Sequence, residues 1–161
     1  MSFFQNLNKK LANVKVLLLG SYHPEYISLL IDLKDYLIEK GMINTFICKD
    51  LFNNIEPLSN SERMGNFFTQ IESEMKSSDF NIFFLNERKN ESTLVELTSY
   101  VKSVDFERKS QQTLVLMPRY LDISMLIGLL EQQEVLAFQY DYSVDYFMYC
   151  FQFILNRLHL V

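Results

Sequence analysis

The chain reads as an α/β three-layer sandwich built on a five-stranded parallel sheet. Three observations predict it. Short runs rich in Val, Ile, Leu and Phe alternate with longer segments of helical period. The short runs are continuously apolar rather than alternating, the pattern of strands covered on both faces. The 161 residues suit one domain, 1–161, of five strand–helix units joined by right-handed crossovers.

Each element has its own signature. An amphipathic segment around Phe3–Leu11, taken as a short helix over about residues 3–12, precedes the first strand, Val16–Leu19. Glu25–Lys40 then places Ile27, Leu30, Ile31, Leu33, Leu37 and Ile38 on one broad stripe, with Gly41 as the C-cap. The second strand is Ile43–Cys48. Ser59-Asn60-Ser61-Glu62 has the form of a capping box, and Phe67, Phe68, Ile71 and Met75 continue the helical face behind it. The third strand is Phe80–Leu85. The helix Thr93–Arg108 carries Leu94, Leu97, Val101 and Val104 at spacings of three, four and three. Thr113–Met117 is the fourth strand, followed by a helix over Ile123–Gln132 with Asp122 as N-cap. Val135–Gln139 is the fifth strand, and Ser143–Leu158 the closing helix. Pro24, Pro57 and Pro118 are all expected between elements. Five such units fit the flavodoxin-like strand order 2-1-3-4-5.

Composition narrows the function. Lys and Arg total 15 against 20 Asp and Glu, a net charge of −5, which disfavours nucleic acid as a partner. With 4 Gly in the chain there is no Gly-x-Gly-x-x-Gly, no Gly-Lys-Ser/Thr phosphate loop and no Gly-x-Ser-x-Gly elbow. Dinucleotide-dependent hydride transfer, ATP hydrolysis and serine hydrolysis are therefore disfavoured. Cys48 and Cys150 lack metal-ligand spacing, and His23 and His159 cannot complete a zinc site with them. No resident metal or cofactor is expected. Both cysteines sit in apolar runs, as small hydrophobes do in a reducing compartment; the sequence leaves a bond between them open. Lys15 interrupts the first apolar run, and Val144–Val161 contains Asp145, Gln152, Asn156, Arg157 and His159. Neither segment has the form of an export signal or a membrane span. A cytoplasmic protein without a membrane partner is expected.

Open parallel sheets bind ligands outside the carboxyl ends of their strands, at the switch point between the first and third. Two polar loops meet there: Gly20-Ser21-Tyr22-His23-Pro24-Glu25 and Asn86-Glu87-Arg88-Lys89-Asn90-Glu91-Ser92. Pro118-Arg119-Tyr120-Leu121-Asp122 approaches from the fourth strand. Gly20, Ser21, Tyr22, His23, Asn86, Ser92 and Arg119 are the candidate substrate-binding residues. His23 is placed for pH-dependent chemistry and Arg119 for clamping an anion, although an exposed loop residue is the plainer reading of each. A receiver domain would need acids after the first strand and Asp after the third, where Gly20-Ser21 and Asn86 stand. FMN binding would need a Ser/Thr/Gly phosphate loop, which Ser21-Tyr22-His23-Pro24 does not supply.

The stretch Ser78-Asp79-Phe80-Asn81-Ile82-Phe83-Phe84-Leu85-Asn86, with Glu91-Ser92-Thr93-Leu94-Val95-Glu96-Leu97, resembles the nucleoside 2-deoxyribosyltransferase-like group. More loosely, it resembles TIR-like domains. In those families a Ser-Asp pair precedes the third strand, and the following helix begins with a glutamate and an aliphatic residue. The family glutamate falls on Glu96 and its threonine on Thr93. Ser92 stands where the transferases usually have Gly, and Asn86 where they usually have Asp. The resemblance implies that Glu96 attacks or stabilises the anomeric carbon of a ribose-type sugar. The expected ligand is a nucleoside, a nucleotide or NAD. A non-catalytic nucleotide-sensing or protein-interaction module is the alternative. The residues alone also allow Thr93-Leu94-Val95-Glu96 to be a capping box with no chemistry.

The closing helix carries Tyr146, Phe147, Met148, Tyr149, Cys150, Phe151, Phe153, Ile154, Leu155 and Leu158, apolar almost all round. Two settings suit it: a homodimer contact through Ser143–Leu158, helped by Phe3 and Phe4, or a deep internal core.

Overall fold

The computed structural model describes residues 3–51, 60–86, 90–103, 109–121, 124–141 and 146–161, with side chains of the fourth helix from residue 65. The elements in chain order are α1 Phe3–Asn13, β1 Lys15–Gly20, α2 Ile27–Glu39, β2 Asn44–Ile47, α3 Cys48–Leu51, α4 Asn60–Ser77, β3 Phe80–Phe84, α5 Glu91–Val101, β4 Thr113–Pro118, α6 Ser124–Gln132, β5 Leu136–Tyr140 and α7 Tyr146–Arg157. The five strands form one all-parallel sheet in the order β2-β1-β3-β4-β5. The switch point lies between β1 and β3, where Gly20 pairs with Phe84.

The period-2 alternation of each strand sorts its side chains into two apolar layers. Val16, Leu18, Phe80, Ile82, Phe84, Leu114 and Leu116 face α1, α2 and α7. Leu17, Leu19, Phe83, Leu85, Val115 and Met117 face α3, α4, α5 and α6. Cys48 belongs to the second layer and Cys150 to the first, so the sheet separates them, and both are free thiols.

Several boundaries differ from expectation for local reasons. Cys48 opens α3 instead of closing β2, because the Asp50 carboxylate accepts from the Ile47 backbone N–H at 2.9 Å. α2 starts at Ile27, since the His23 carbonyl accepts from both Tyr26 and Ile27 N–H in a preceding turn. Pro118 is the last residue of β4 rather than a loop residue. Ser59 and the side chains of its capping box, the Asp122 cap, Pro57 and the end of the helix predicted to Arg108 lie outside the described residues.

The aromatic side chains of α7 pack on the first apolar layer to different depths. Cys150, Phe153, Ile154 and Leu158 are buried, and Tyr146, Phe147, Tyr149, Phe151 and Leu155 pack half-buried on the same layer. Tyr149 stacks on Phe138 of β5, Phe147 meets Tyr36 of α2, and Arg157 lies over Phe153. Met148 is the exposed large hydrophobic residue of this helix, while Phe3 and Phe4 stand out at the start of α1. No helix among the described residues is long and apolar enough to cross a membrane.

Candidate functional site

The segment between β3 and α5 is clasped by two asparagines. Asn86 N–H donates to Asn90 Oδ1 at 2.8 Å, and Asn90 Nδ2 donates back to the Asn86 carbonyl. Because the Asn90 side chain is spent on this clasp, it does not cap α5. The helix nevertheless starts there, with Leu94 N–H donating to the Asn90 carbonyl at 2.8 Å. This start decides the phase of α5. Thr93, Glu96, Leu97, Tyr100 and Val101 turn inward, while Ser92 and Val95 turn to solvent.

The capping-box reading of Thr93 and Glu96 is thereby overturned. An N-cap residue has non-helical backbone, but Thr93 lies inside the first turn. Its buried hydroxyl has no hydrogen-bond partner. Glu96 is 5% exposed, and no hydrogen bond or ion pair holds its carboxylate among the described residues. Burial alone pushes its pKa up, from 4.5 to about 7.

Of the other unpartnered polar groups, Asn86 and Tyr22 lie beyond the carboxyl ends of β3 and β1, whereas Asn81 Oδ1 lies at the start of β3 and Ser103 Oγ beyond the end of α5. Asn86 is 4% exposed, and both its side-chain Nδ2 and Oδ1 lack partners. Tyr22 stands two residues beyond β1, at the level of Asn86 beyond β3. Its buried Oη lies beside Cys48 without a well-formed hydrogen bond. Burial raises the Tyr22 phenol far above its ordinary range and the Cys48 thiol to about 12, so both stay protonated. Glu96 is near enough to add to the rise at Cys48, which links α5 to the ends of β1 and β2.

A cavity of about 100 Å³ opens beside Glu96, between α4 and α5. Phe68, Thr69, Glu72 and Met75 line it from α4, and Ser99 joins Glu96 from α5. Larger hollows of about 420 and 380 Å³ lie along β5 and α6 and beside Ser110; Tyr22, Asn86 and Thr93 line none of these three hollows.

The other predicted residues have different placements. Gly20 is buried by packing: a Cβ there would lie 2.9 Å from Leu30 Cδ2 and 3.1 Å from the Phe84 carbonyl oxygen. Ser21 is buried, and its Oγ accepts from His23 N–H at 3.3 Å. His23 is partly exposed, with Nδ1 3.7 Å from the Glu25 carboxylate. Arg119 is exposed and pairs with Asp141 at 3.4 Å, beyond β4 and β5 rather than over β1. Residues 87–89 lie outside the described residues. Thus Tyr22 and Asn86 stand beyond the ends of β1 and β3, Thr93 and Glu96 share the inward face of α5 with Glu96 turned to the hollow against α4, and Ser92 and Arg119 stand apart in solvent.

Two members were not legible as such. Cys48 reads as an ordinary strand hydrophobe, and the Asn86/Asn90 clasp as ordinary loop polarity. The four-residue spacing of two asparagines across a strand–helix loop is the signal that marks the clasp. The Ser78-Asp79 pair lies at the opposite end of the sheet. Asp79 accepts from Lys15 N–H at 2.8 Å, and Ser78 Oγ donates to the Glu74 carbonyl at 2.7 Å. Comparison with family models, curated proteins and solved structures finds no match for this chain.

Proposed function

We propose that the chain cleaves or transfers at the N-glycosidic bond of a nucleoside, nucleotide or NAD, with Glu96 as the carboxylate that meets the sugar. One observation carries this reading: a buried, unpaired Glu96 carboxylate lies one helical turn from the unpartnered Thr93 hydroxyl, on the helix that follows the unpartnered Asn86 side chain. Buried polar groups ordinarily find partners, so a grouped set without them suits a missing ligand. The resemblance of Glu96 and Thr93 to the transferase-like pattern supports the same assignment.

In this reading the C1′–N bond breaks with its electron pair leaving on the base; a nucleoside or nucleotide base then gains a proton from solvent, whereas the cationic nicotinamide of NAD leaves neutral without one. The positive charge developing at C1′ is met by ionised Glu96, which either stabilises it or bonds to it before water or a second base completes the exchange. The neutral Tyr22 phenol and the Asn86 amide supply donors and acceptors for the base or the sugar hydroxyls. Only the ionised carboxylate acts, so kcat/KM rises with pH through about 7.

The test is base release from NAD and a panel of nucleosides and nucleotides. Release is expected from the wild-type chain and abolished in Glu96→Gln; release that survives this substitution refutes the role of Glu96. The cavity of about 100 Å³ is smaller than the roughly 300 Å³ of ordinary ligand pockets and favours a second reading, a nucleotide-sensing module. Saturable nucleotide binding without base release would select that reading.

A further inference from the structure

We propose that the hollow between α4 and α5 binds the head group of a small organic cation, a primary ammonium or a guanidinium. This goes beyond glycosidic chemistry and does not depend on it. The size is right for such a group. At about 30 Å³ per water, 100 Å³ is roughly three waters' worth, and it falls short of the roughly 150 Å³ cavity that holds benzene. A head group of a few heavy atoms fits.

The walls also match a cation that donates several N–H bonds. Glu96 enters from α5, buried and unpaired among the described residues. Glu72 enters from α4. Thr69 Oγ1 donates to the Gly65 carbonyl at 3.0 Å, so its lone pairs remain to accept from a ligand, and the Ser99 hydroxyl lies across from it. Phe68 adds an aromatic wall suited to a weakly hydrated cation. The neighbouring protein cation, Lys76, reaches only Glu72, at 4.0 Å and near the surface. A metal ion fits less well, because no group of three His, Cys, Asp or Glu converges among the described residues. Phe68, Thr69 and Ser99 are exposed at the mouth, which leaves an exit for whatever carries the head group.

The experiment is a titration of the full chain with methylammonium and methylguanidinium, against sodium chloride at equal ionic strength. It is followed by amide chemical shifts. Saturable shifts confined to α4 and α5 are expected, and Glu96→Gln weakens binding at least tenfold. Shifts equal to those in sodium chloride, or unchanged affinity in Glu96→Gln, overturn the proposal. A wild-type pH series guards against a folding defect in the variant. The groups facing Glu96 are Glu72 on α4, Cys48 at the end of β2 and Tyr22 beyond β1. Cys48 and Tyr22 remain neutral, so affinity rises from pH 5.5 to 8 as Glu96 ionises. Affinity that does not change with pH also overturns the proposal. An arginine amide capped at its amino end distinguishes the source. Tighter binding than methylguanidinium points to a polypeptide side chain, and equal binding to a free amine. Base release measured on the wild-type chain separates the two proposals: saturable cation binding without base release refutes only the glycosidic reading, and base release without saturable cation binding refutes only this one.

Discussion

At the scale of single residues, Glu96 and Thr93 make opposite contributions to stability and function. The Glu96 pKa is raised from 4.5 to about 7 in the fold, so the folded chain binds more protons than the unfolded chain between those values. Stability therefore falls as pH rises through that window, by on the order of 3 kcal/mol, and stays low above it. Urea midpoints across pH 4–8 should show this slope in the wild-type chain and lose it in Glu96→Gln. Thr93 buries a hydroxyl that bonds to nothing. Thr93→Val keeps the shape and removes the unpaired group, so it should stabilise by about 1 kcal/mol in urea unfolding while weakening ligand binding. The place of Glu96 on the helix after the third strand was legible in the sequence. Its environment was not, because the phase of α5 depends on a start at Glu91 that the Thr93 capping pattern conceals. The same two-residue shift leaves Ser92 in solvent. The salt bridge to Asp141 that draws Arg119 away joins residues far apart in sequence, and no local pattern announces it.

At the scale of elements, the sequence was more explicit. Apolar runs marked all five strands, most plainly β1, β3 and β4, which are covered on both faces, while the edge strands β2 and β5 are only partly covered. Ends were less legible, since backbone geometry rather than side-chain pattern sets them. α2 and α6 illustrate this with one shared ending. After α2, Gly41 at φ +96° donates to the Ile38 carbonyl and Met42 to that of Leu37. After α6, Glu134 at φ +55° donates to the Glu131 carbonyl and Val135 to that of Leu130. Both are Schellman endings, but the second places a residue with a Cβ in the left-handed region. Glu134→Gly should therefore stabilise by about 0.5–1 kcal/mol, read as a higher urea midpoint at unchanged slope. Gly41→Ala should destabilise by about 1 kcal/mol for the converse reason.

At the scale of the whole molecule, both ends of the sheet hold unpaired polar atoms, Asn81 Oδ1 and Ser103 Oγ on the amino side among them, but ion pairs gather at the amino end. At the amino end, Lys15 Nζ meets Glu74 at 2.7 Å and Ser77 at 3.0 Å. Asp79 and Lys15 exchange backbone and carboxylate bonds, and Lys109 donates to the Ser78 carbonyl at 2.7 Å. At the carboxyl end, Tyr22, Asn86 and Thr93 leave polar atoms unpaired. Asp79→Ala should cost about 1–2 kcal/mol of stability and leave any base release unchanged, because it lies at the far end from Glu96. This division also gives the two cysteines a use. Cys48 and Cys150 are 1% and 0% exposed, one under each helical layer. A thiol reagent reaches either only when its own layer opens, so the two labelling rates are independent clocks of local unfolding on the two sides of the sheet. A ligand seated beside Glu96 should slow the clock at Cys48 and leave that at Cys150 running as before.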